Sequence, residues 1–402
     1  MKERIIFHID VNNAFLSWTA VLLLKQGYKQ DIRKIPSIIG GNEKERRGIV
    51  LAKSPIAKKF GIKTAETIYQ AKKKCPSLQI FPANFEWYHQ QSKNFYNYLT
   101  QYSPTIEQFS VDECFIDMTG TSYLYNNYEK LAYKIKDDIK NLYGFTVNVG
   151  IGNNKLCAKM ASDFEKPDKV HTLYMNEVEE KMWPLPVSDL FMIGTKTTEI
   201  LKKLNINTIE DLAKVNKKEL EKYFKSTAEH MILSANGIDN SEVMPRKSKN
   251  QSISITETLA HDTTNESELK DVLFKQTQDV SRQLRNQNQY AKTVAVIYKD
   301  SNFRTYSQQE KLSRETNNTK DIYTKVLEIF NNSYKKEPIR LIGVRLSDLT
   351  TTRKVQISLF EEEETKDEED NFQKTLDDIN KKFGKDLIAP ASLKTISKKE
   401  IK

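Results

Sequence analysis

Three acidic residues stand where acid is costly. Asp10 closes the short apolar run RIIFHI, residues 4–9, and Asp112 and Glu113 interrupt the apolar stretch IEQFSVDECFIDM, residues 106–118. A lone aspartate at a strand end usually caps a turn. An adjacent Asp-Glu pair between apolar strands is harder to dismiss, because a carboxylate taken out of water needs a compensating charge or hydrogen bond. Hard divalent cations use oxygen ligands of this kind. Two such ions about 4 Å apart can activate an attacking hydroxyl and stabilise a leaving phosphate. Spacing alone leaves the reaction open.

For these carboxylates to meet, their strands must be neighbours. The run 4–9 is too short for a helix and is predicted as a buried strand; 106–118 is predicted as a hairpin with the two acids at its turn. A helix is expected over 12–26, a strand over 48–53 (GIVLAK) and the start of a helix over 55–60. Residues 84–101 carry aromatics at helical spacing, a stripe assigned to the core. An amphipathic helix over 128–142 and a strand over 145–151 complete the order strand–helix–strand–strand–helix–strand, which suggests a split βαβ, ferredoxin-like core.

A different module begins near Pro184. Residues 188–204 (SDLFMIGTKTTEILKKL), followed by NINTIEDLAKV, predict a helix, a tight Gly-bearing turn and a second helix. The basic, polar segment 245–252 (PRKSKNQS) marks a boundary, and a second βαββαβ pattern follows it. Its strands are expected over 253–259, 292–299, 303–311 and 340–348, and its helices over 265–288 and 318–333. Leu269, Val272, Leu273, Val280 and Leu284 share one face of the first helix. A short helical stretch is expected near 371–383, and no internal sequence repeat is obvious.

The 402 residues suffice for two to four domains, and 38% hydrophobic residues supply their cores. No run approaches the roughly 20 apolar residues of a membrane helix. The start, MKERIIFHID, is charged and lacks the apolar stretch of a signal peptide, so a cytoplasmic protein is expected. Cys75, Cys114 and Cys157 are too few and too scattered for a disulfide framework or a structural zinc site. The five histidines, His8, His89, His171, His230 and His261, show no metal-ligand spacing and are expected to be structural or surface residues. Net charge is +9, as expected for a polyanionic partner. Residues 246–354 hold 20 Lys and Arg against 13 Asp and Glu, and 361–370 (EEEETKDEED) reverse the sign.

Five segments together carry a family resemblance. HIDVNNAFLSW (8–18) resembles the first motif of the Y-family, translesion-type DNA polymerases, and FSVDECFID (109–117) resembles their SxDE motif. GIVLAKSPIAKKFGIKTAE (48–66) looks like their fingers segment, and VNVGIGNNKLCAKMASDFEKP (147–167) looks like the segment closing the palm. IRLIGVRLSDL (339–349) is similar to the last strand of their little-finger domain. The five lie in the family's order across residues 1–355, and the chain is most similar to the DNA polymerase IV and UmuC-like type.

The resemblance implies an α+β multidomain, right-hand polymerase. It would have a ferredoxin-like palm (1–22 and 73–178), small fingers (23–72), a helix–hairpin–helix thumb (179–240), a βαββαβ little finger (246–355) and a tail (356–402). Two Mg2+ ions, or Mn2+ in their place, would be held by Asp10, Asp112, Glu113 and the backbone carbonyl of Val11. Phe15 falls where the family sets a bulky gate against a ribose 2′-hydroxyl; without the resemblance it is an ordinary core phenylalanine. Lys58 and Lys166 match triphosphate-binding positions and would act as point charges. Gly194 would let the thumb turn bring backbone N–H groups near a DNA phosphate, with Lys196 beside it and Arg246, Lys247, Arg340 and Arg345 further along. Pro55, Ala14 and Thr19 depart from the family pattern, which bears on the base-pair contacts rather than the metal chemistry.

The implied partners are primer-template DNA and dNTPs, with the chain a monomer and no membrane involved. Residues 356–360, QISLF, resemble the Gln-x-x-Leu-Phe peptide with which bacterial polymerases bind the sliding clamp. Gln356 offers an amide for hydrogen bonds, while Leu359 and Phe360 can enter an apolar groove. Val355, Ile357 and Leu359 also alternate as an edge strand would, but the acidic run behind them leaves Leu-Phe no core to enter, which favours the clamp. Two other functions compete with this reading: a catalytically inert DNA-binding protein that keeps the fold, and another palm enzyme such as a nucleotide cyclase. The second would need neither a helix–hairpin–helix nor a basic C-terminal domain.

Overall fold

The first strand carries apolar side chains on both faces, so it can only be central. β1 (Ile6–Val11) is buried along its length, with Phe7, Ile9 and Val11 in one core and Ile6 in another. In the computed structural model, residues 4–41, 48–121, 123–245 and 251–352 are described, with the single positions 375, 378, 379 and 382. They form two compact units, one drawn from Met1–Glu43 and Gly48–Lys247, the other from Ser248–Lys402. Among the described residues no helix is long and apolar enough to cross a membrane.

In the first unit β1 leads into α1 (Ala14–Lys25). Next come β2 (Ser37–Gly40), β3 (Val50–Lys53), α2 (Pro55–Lys59), α3 (Ile68–Lys74) and β4 (Gln79–Pro82). These make a small sheet in the order β3-β2-β4 over its own core of Ile38, Val50, Ala57, Ile62, Ile68 and neighbours. Ser54 caps α2, its Oγ accepting from Ala57 N, and Pro55 takes the first helical turn, where a missing N–H costs nothing. Strands β2 and β4 and helix α3 are not among the predicted elements; each is seven residues or fewer, too short for a clear period.

Then follow α4 (Phe85–Leu99), β5 (Ile106–Gln108), β6 (Glu113–Asp117), α5 (Tyr128–Tyr143), β7 (Val147–Gly152), α6 (Lys155–Asp163) and β8 (Val170–Leu173). The sheet order is β5-β6-β1-β7-β8. Each of its first four strands is antiparallel to its neighbours among them, in the ferredoxin-like arrangement; β8, which was not predicted, joins β7 in parallel. The expected aromatic stripe of α4 does pack into the core, through Tyr88, Phe95 and Leu99. Gly150 permits the tightest packing: a Cβ there would lie 2.0 Å from Ala158 O, so only glycine lets α6 press on β7.

The next module differs from expectation in one respect. The segment before the Gly-bearing turn forms only a 3-10 turn, Val187–Asp189, because Pro184 and Pro186 precede it and leave too few residues for an α-helix. α7 (Thr195–Lys203), α8 (Ile209–Lys214), α9 (Lys217–Phe224) and α10 (Thr227–Ala235) then pack on α6 around Leu201, Ile209, Leu212 and Leu220. The turn residue that needs the left-handed region is Met192, at φ 73° and 80% exposed. Gly194 is extended at φ −87°, so its backbone does not require glycine. Met192→Gly should therefore stabilise the chain by about 1 kcal/mol, since a β-carbon at positive φ is strained and the exposed side chain packs little. Urea unfolding measures this; an unchanged or lower midpoint would mean that Met192 makes compensating contacts.

The second unit is β9 (Ser252–Thr263), α11 (Glu266–Asn286), β10 (Ala291–Asp300), β11 (Thr305–Thr316), α12 (Thr319–Ser333) and β12 (Ile339–Ser347). Asn265 and Asn318 cap the two helices. The strands are all antiparallel, in the order β11-β10-β12-β9. Leu269, Leu273, Val280 and Leu284 of α11 are fully buried, with Val272 packed at their edge, as the helical period predicts.

Candidate active site

The register of β1 and β6 pairs Asp10 directly with Glu113, and Val11 N donates to Asp112 O at 3.0 Å. The two acid-bearing segments are thus adjacent strands, with Asp112 in the turn and Glu113 opening β6. Burial pushes the Asp10 carboxyl up to about 6, against the opposing pull of the Lys166 and Lys159 ammonium groups. Burial raises Asp112 as well; the Ser110 hydroxyl, donating at 2.6 Å, opposes this, and the neighbouring Glu113 charge adds to it.

Cations from α6 and the loop behind it answer this charge. Lys159 Nζ lies 2.5 Å from Glu113 Oε1, 3.3 Å from Asp163 Oδ2 and 4.0 Å from Asp10 Oδ2. Lys166 Nζ bonds Asp10 Oδ2 and lies 2.8 Å from Asp163 Oδ1. Burial by itself would lower both lysines; the carboxylates around them more than reverse this and raise them. Among the described residues no three His, Cys, Asp or Glu side chains converge closely enough to chelate an ion as they stand. The donor chemistry nevertheless fits a divalent cation. Three carboxylates sit on two paired strands and the turn that leads into one of them, burial makes the charge of Asp10 and Asp112 costly, and ammonium groups already occupy the position of a counter-cation.

His8 lies two residues before Asp10 on the same face of β1 and is fully buried. Ser162 Oγ donates to Lys159 O at 2.7 Å, so it accepts from His8 Nδ1 at 2.8 Å. Nε2 then carries a lone pair, and it sits 3.9 Å from Glu113 Oε1. Burial keeps this imidazole neutral by lowering it well below its ordinary value, with Lys159 and Lys166 adding to the effect. Sequence reasoning counted His8 among the structural histidines and passed over Lys159. Both had a signal: the i, i+2 spacing of His8 and Asp10, and the 155-159-163 spacing that puts Lys155, Lys159 and Asp163 on one face of α6.

Phe15, in the first turn of α1, is half-buried. Its ring stacks on Tyr88 at 4.7 Å and 13°, with Phe85 edge-on at 6.2 Å. Thr19 supports this stack, its Oγ1 lying 2.7 Å from both Phe15 O and Tyr88 Oη. Ala14 is buried in the same core. Asn13, left-handed at φ 50°, donates from Nδ2 to Lys53 O at 2.7 Å and so ties the turn after Asp10 to β3. Lys58 is exposed in the last turn of α2, close enough for its charge to help burial lower Lys53.

The other expected residues are dispersed. Lys196 is exposed on the first turn of α7. A Cβ on Gly194 would meet nothing within 4 Å, so that side of the turn is open. In the second unit Arg345 faces away from the helices and donates to Gln309 Oε1 at 3.2 Å. Arg340 instead stacks on Phe303 at 4.6 Å, with Asp262 at 3.9 Å. Arg246, Lys247 and the peptide Gln356–Phe360, with Leu359, lie outside the described residues, as does most of the stretch 371–383.

Residues 9–163 match the impB/mucB/samB family, residues 176–206 the HHH motif of the IMS family, and residues 250–359 the impB/mucB/samB family C-terminal domain. DNA polymerase IV of Clostridium acetobutylicum is 46% identical over 96% of this chain and 97% of its own length. DNA polymerase IV 1 of Bacillus subtilis is 33% identical over 100% of this chain and 95% of its own. A solved Y-family DNA polymerase chimera superposes with a TM-score of 0.75 at 23% identity, covering 87% of this chain and 100% of that one, a likeness of fold.

Proposed function

Because the chain belongs to the impB/mucB/samB family, the Y-family DNA polymerases of the DNA polymerase IV type, we propose that it copies DNA by adding deoxynucleotides to a primer 3′-hydroxyl at the Asp10, Asp112 and Glu113 cluster. It is a DNA-directed, translesion-type polymerase that depends on divalent metal. One observation carries the site assignment: Asp10 and Glu113 are direct cross-strand partners, and Lys159 and Lys166 balance their charge.

Asp10, Asp112, Glu113 and the Val11 carbonyl would hold two Mg2+ ions, with Mn2+ able to replace them. When bound, such ions lower the pKa of the attacking hydroxyl and neutralise charge on the leaving phosphate. Lys166 and Lys58 supply positive charge for the triphosphate, and the lysine bond to Asp10 can be exchanged for phosphate oxygens. Phe15, backed by Tyr88, presents a flat ring where a ribose would need room for its 2′-hydroxyl. His8, neutral and buried, has no proton to release at this site and supports the carboxylates from below.

Primer-template DNA runs, in this proposal, along Gly194 and Lys196 of the thumb and along the open sheet face of the second unit. Alternation puts Lys299, Lys311 and Arg345 on that face, opposite the helices. Arg340 is better placed to brace Phe303 than to meet phosphate. Arg246, Lys247 and the clamp contact through Gln356, Leu359 and Phe360 are proposed from sequence, as are a cytoplasmic setting and a monomeric state. Primer extension on a DNA template with Mg2+ tests the function, and no extension by a folded chain rejects it. Affinity for primer-template DNA should also fall steeply with salt, by a log–log slope of about −0.9 per phosphate neutralised. A flat response would count against backbone-tracking contacts.

A further inference from the structure

Two buried asparagines lie beside the catalytic cluster: Asn148 is the cross-strand partner of Asp10 on β7, and Asn12 follows Asp10 by two residues. Asn148 is fully buried in β7, between Val147 and Val149, where a third apolar residue would be the cheaper choice. Its Oδ1 accepts from Asn12 Nδ2 at 3.0 Å and from Lys169 N at 3.3 Å. Its Nδ2 donates to Ser162 O at 3.0 Å and to Glu165 O at 2.6 Å. Asn12, two residues beyond Asp10, accepts at Oδ1 from Asp168 N at 2.9 Å. Every amide oxygen faces an N–H and every amide nitrogen faces an oxygen, so the orientation of both side chains is determined.

These bonds bracket one residue. Glu165 on one side of Lys166, and Asp168 and Lys169 on the other, are bonded to the pair. The Asp168 carboxylate is held in addition by Lys136 at 3.0 Å and Lys140 at 2.7 Å. Asn12 belongs to the same chain end as Asp10, the residue Lys166 reaches. The loop is pinned before Lys166 to β7 through Asn148, and after it to Asn148 and to Asn12, the residue that follows β1; since β7 pairs with β1 at Asn148 and Asp10, this holds the lysine in register with that acid.

We propose that Asn148 and Asn12 are positioning residues that set the Lys166 ammonium for the incoming triphosphate. The proposal rests on Lys166 being a triphosphate contact. Loss of one buried amide from the bracket frees the loop, and a ligand then has to order it on binding. This raises the KM for the nucleotide more than it lowers kcat.

The test is single-nucleotide addition on primer-template DNA with the complementary dNTP, for wild type, Asn148→Ala, Asn12→Ala, Lys166→Ala and the double variant Asn148→Ala/Lys166→Ala. Asn148→Ala should raise KM about tenfold, the equivalent of one buried hydrogen bond lost, with a smaller fall in kcat. The double variant should be no worse in KM than Lys166→Ala, because a missing lysine no longer needs placing. Full additivity would overturn the bracket, as would an unchanged KM in both asparagine variants alongside a raised KM in Lys166→Ala. An unchanged KM in Lys166→Ala would instead reject the triphosphate role of Lys166 itself. If Asn148→Ala lowers the thermal midpoint, Asn12→Ala, which removes one loop bond and leaves the core of β7 intact, decides the matter by the same KM criterion.

Discussion

Asp112→Ala is expected to reduce nucleotide addition by at least about a thousandfold. The lost term is several kcal/mol of charge stabilisation at the reacting phosphate, and about 1.36 kcal/mol corresponds to each factor of ten. The same variant should fold as well as the wild type. Burial and the adjacent Glu113 charge already hold the Asp112 carboxyl above its ordinary range, so the ionised form is a cost to the metal-free protein. Removing it forfeits the Ser110 hydrogen bond but relieves that cost. The paired measurement is primer extension together with thermal unfolding, with and without Mg2+. The ion should raise the midpoint of the wild type and raise that of the variant less. Near-normal extension by folded Asp112→Ala protein would remove this cluster from consideration as the catalytic site.

Phe15→Ala is expected to admit ribonucleotides, lowering the preference for deoxynucleotides by about tenfold to a hundredfold, the scale of a steric term in a close-fitting pocket. The ring cannot swing aside in the wild type, because it stacks on Tyr88, and Tyr88 is held through Thr19 to the backbone of Phe15 itself. Truncation leaves that support in place and opens the space in front of it. Competition between a dNTP and its ribonucleotide on one template gives the ratio directly. Phe15→Leu, which keeps bulk, should retain more of the discrimination than alanine does. If both variants discriminate as the wild type does while losing stability, Phe15 is a core residue and nothing more.

The three carboxylates were legible in sequence because acid is conspicuous inside apolar runs. The ring of Phe15 was ambiguous by its residues alone: a phenylalanine on a helix behind a strand has the same pattern whether it packs inward or meets a substrate. Lys159 and His8 went unread for a different reason. Their role depends on α6 lying against β1 and β7, an approach that turns on Gly150 having no side chain. The bracket of Asn12 and Asn148 was invisible for the same cause, since it joins residues 136 positions apart.

Sequence by itself determined the element order of both βαββαβ regions and which face of each main helix is apolar, because period and capping are local properties. Strand order was decided only in three dimensions. In the first unit the hairpin strand β6 lies inside, next to β1, and β5 is the edge; in the second, β10 lies inside, next to β12, and β11 is the edge. The two regions therefore share a sequence of elements and differ in how the hairpin docks. The physical reason is the apolar content of the strands. β6 (ECFID) and β10 (AKTVAVIYKD) are largely buried and take inner positions, while the short β5 and the polar β11 are tolerated at the edge. Docking β6 inward is what pairs Glu113 with Asp10 and brings the two distant stretches of the proposed site together.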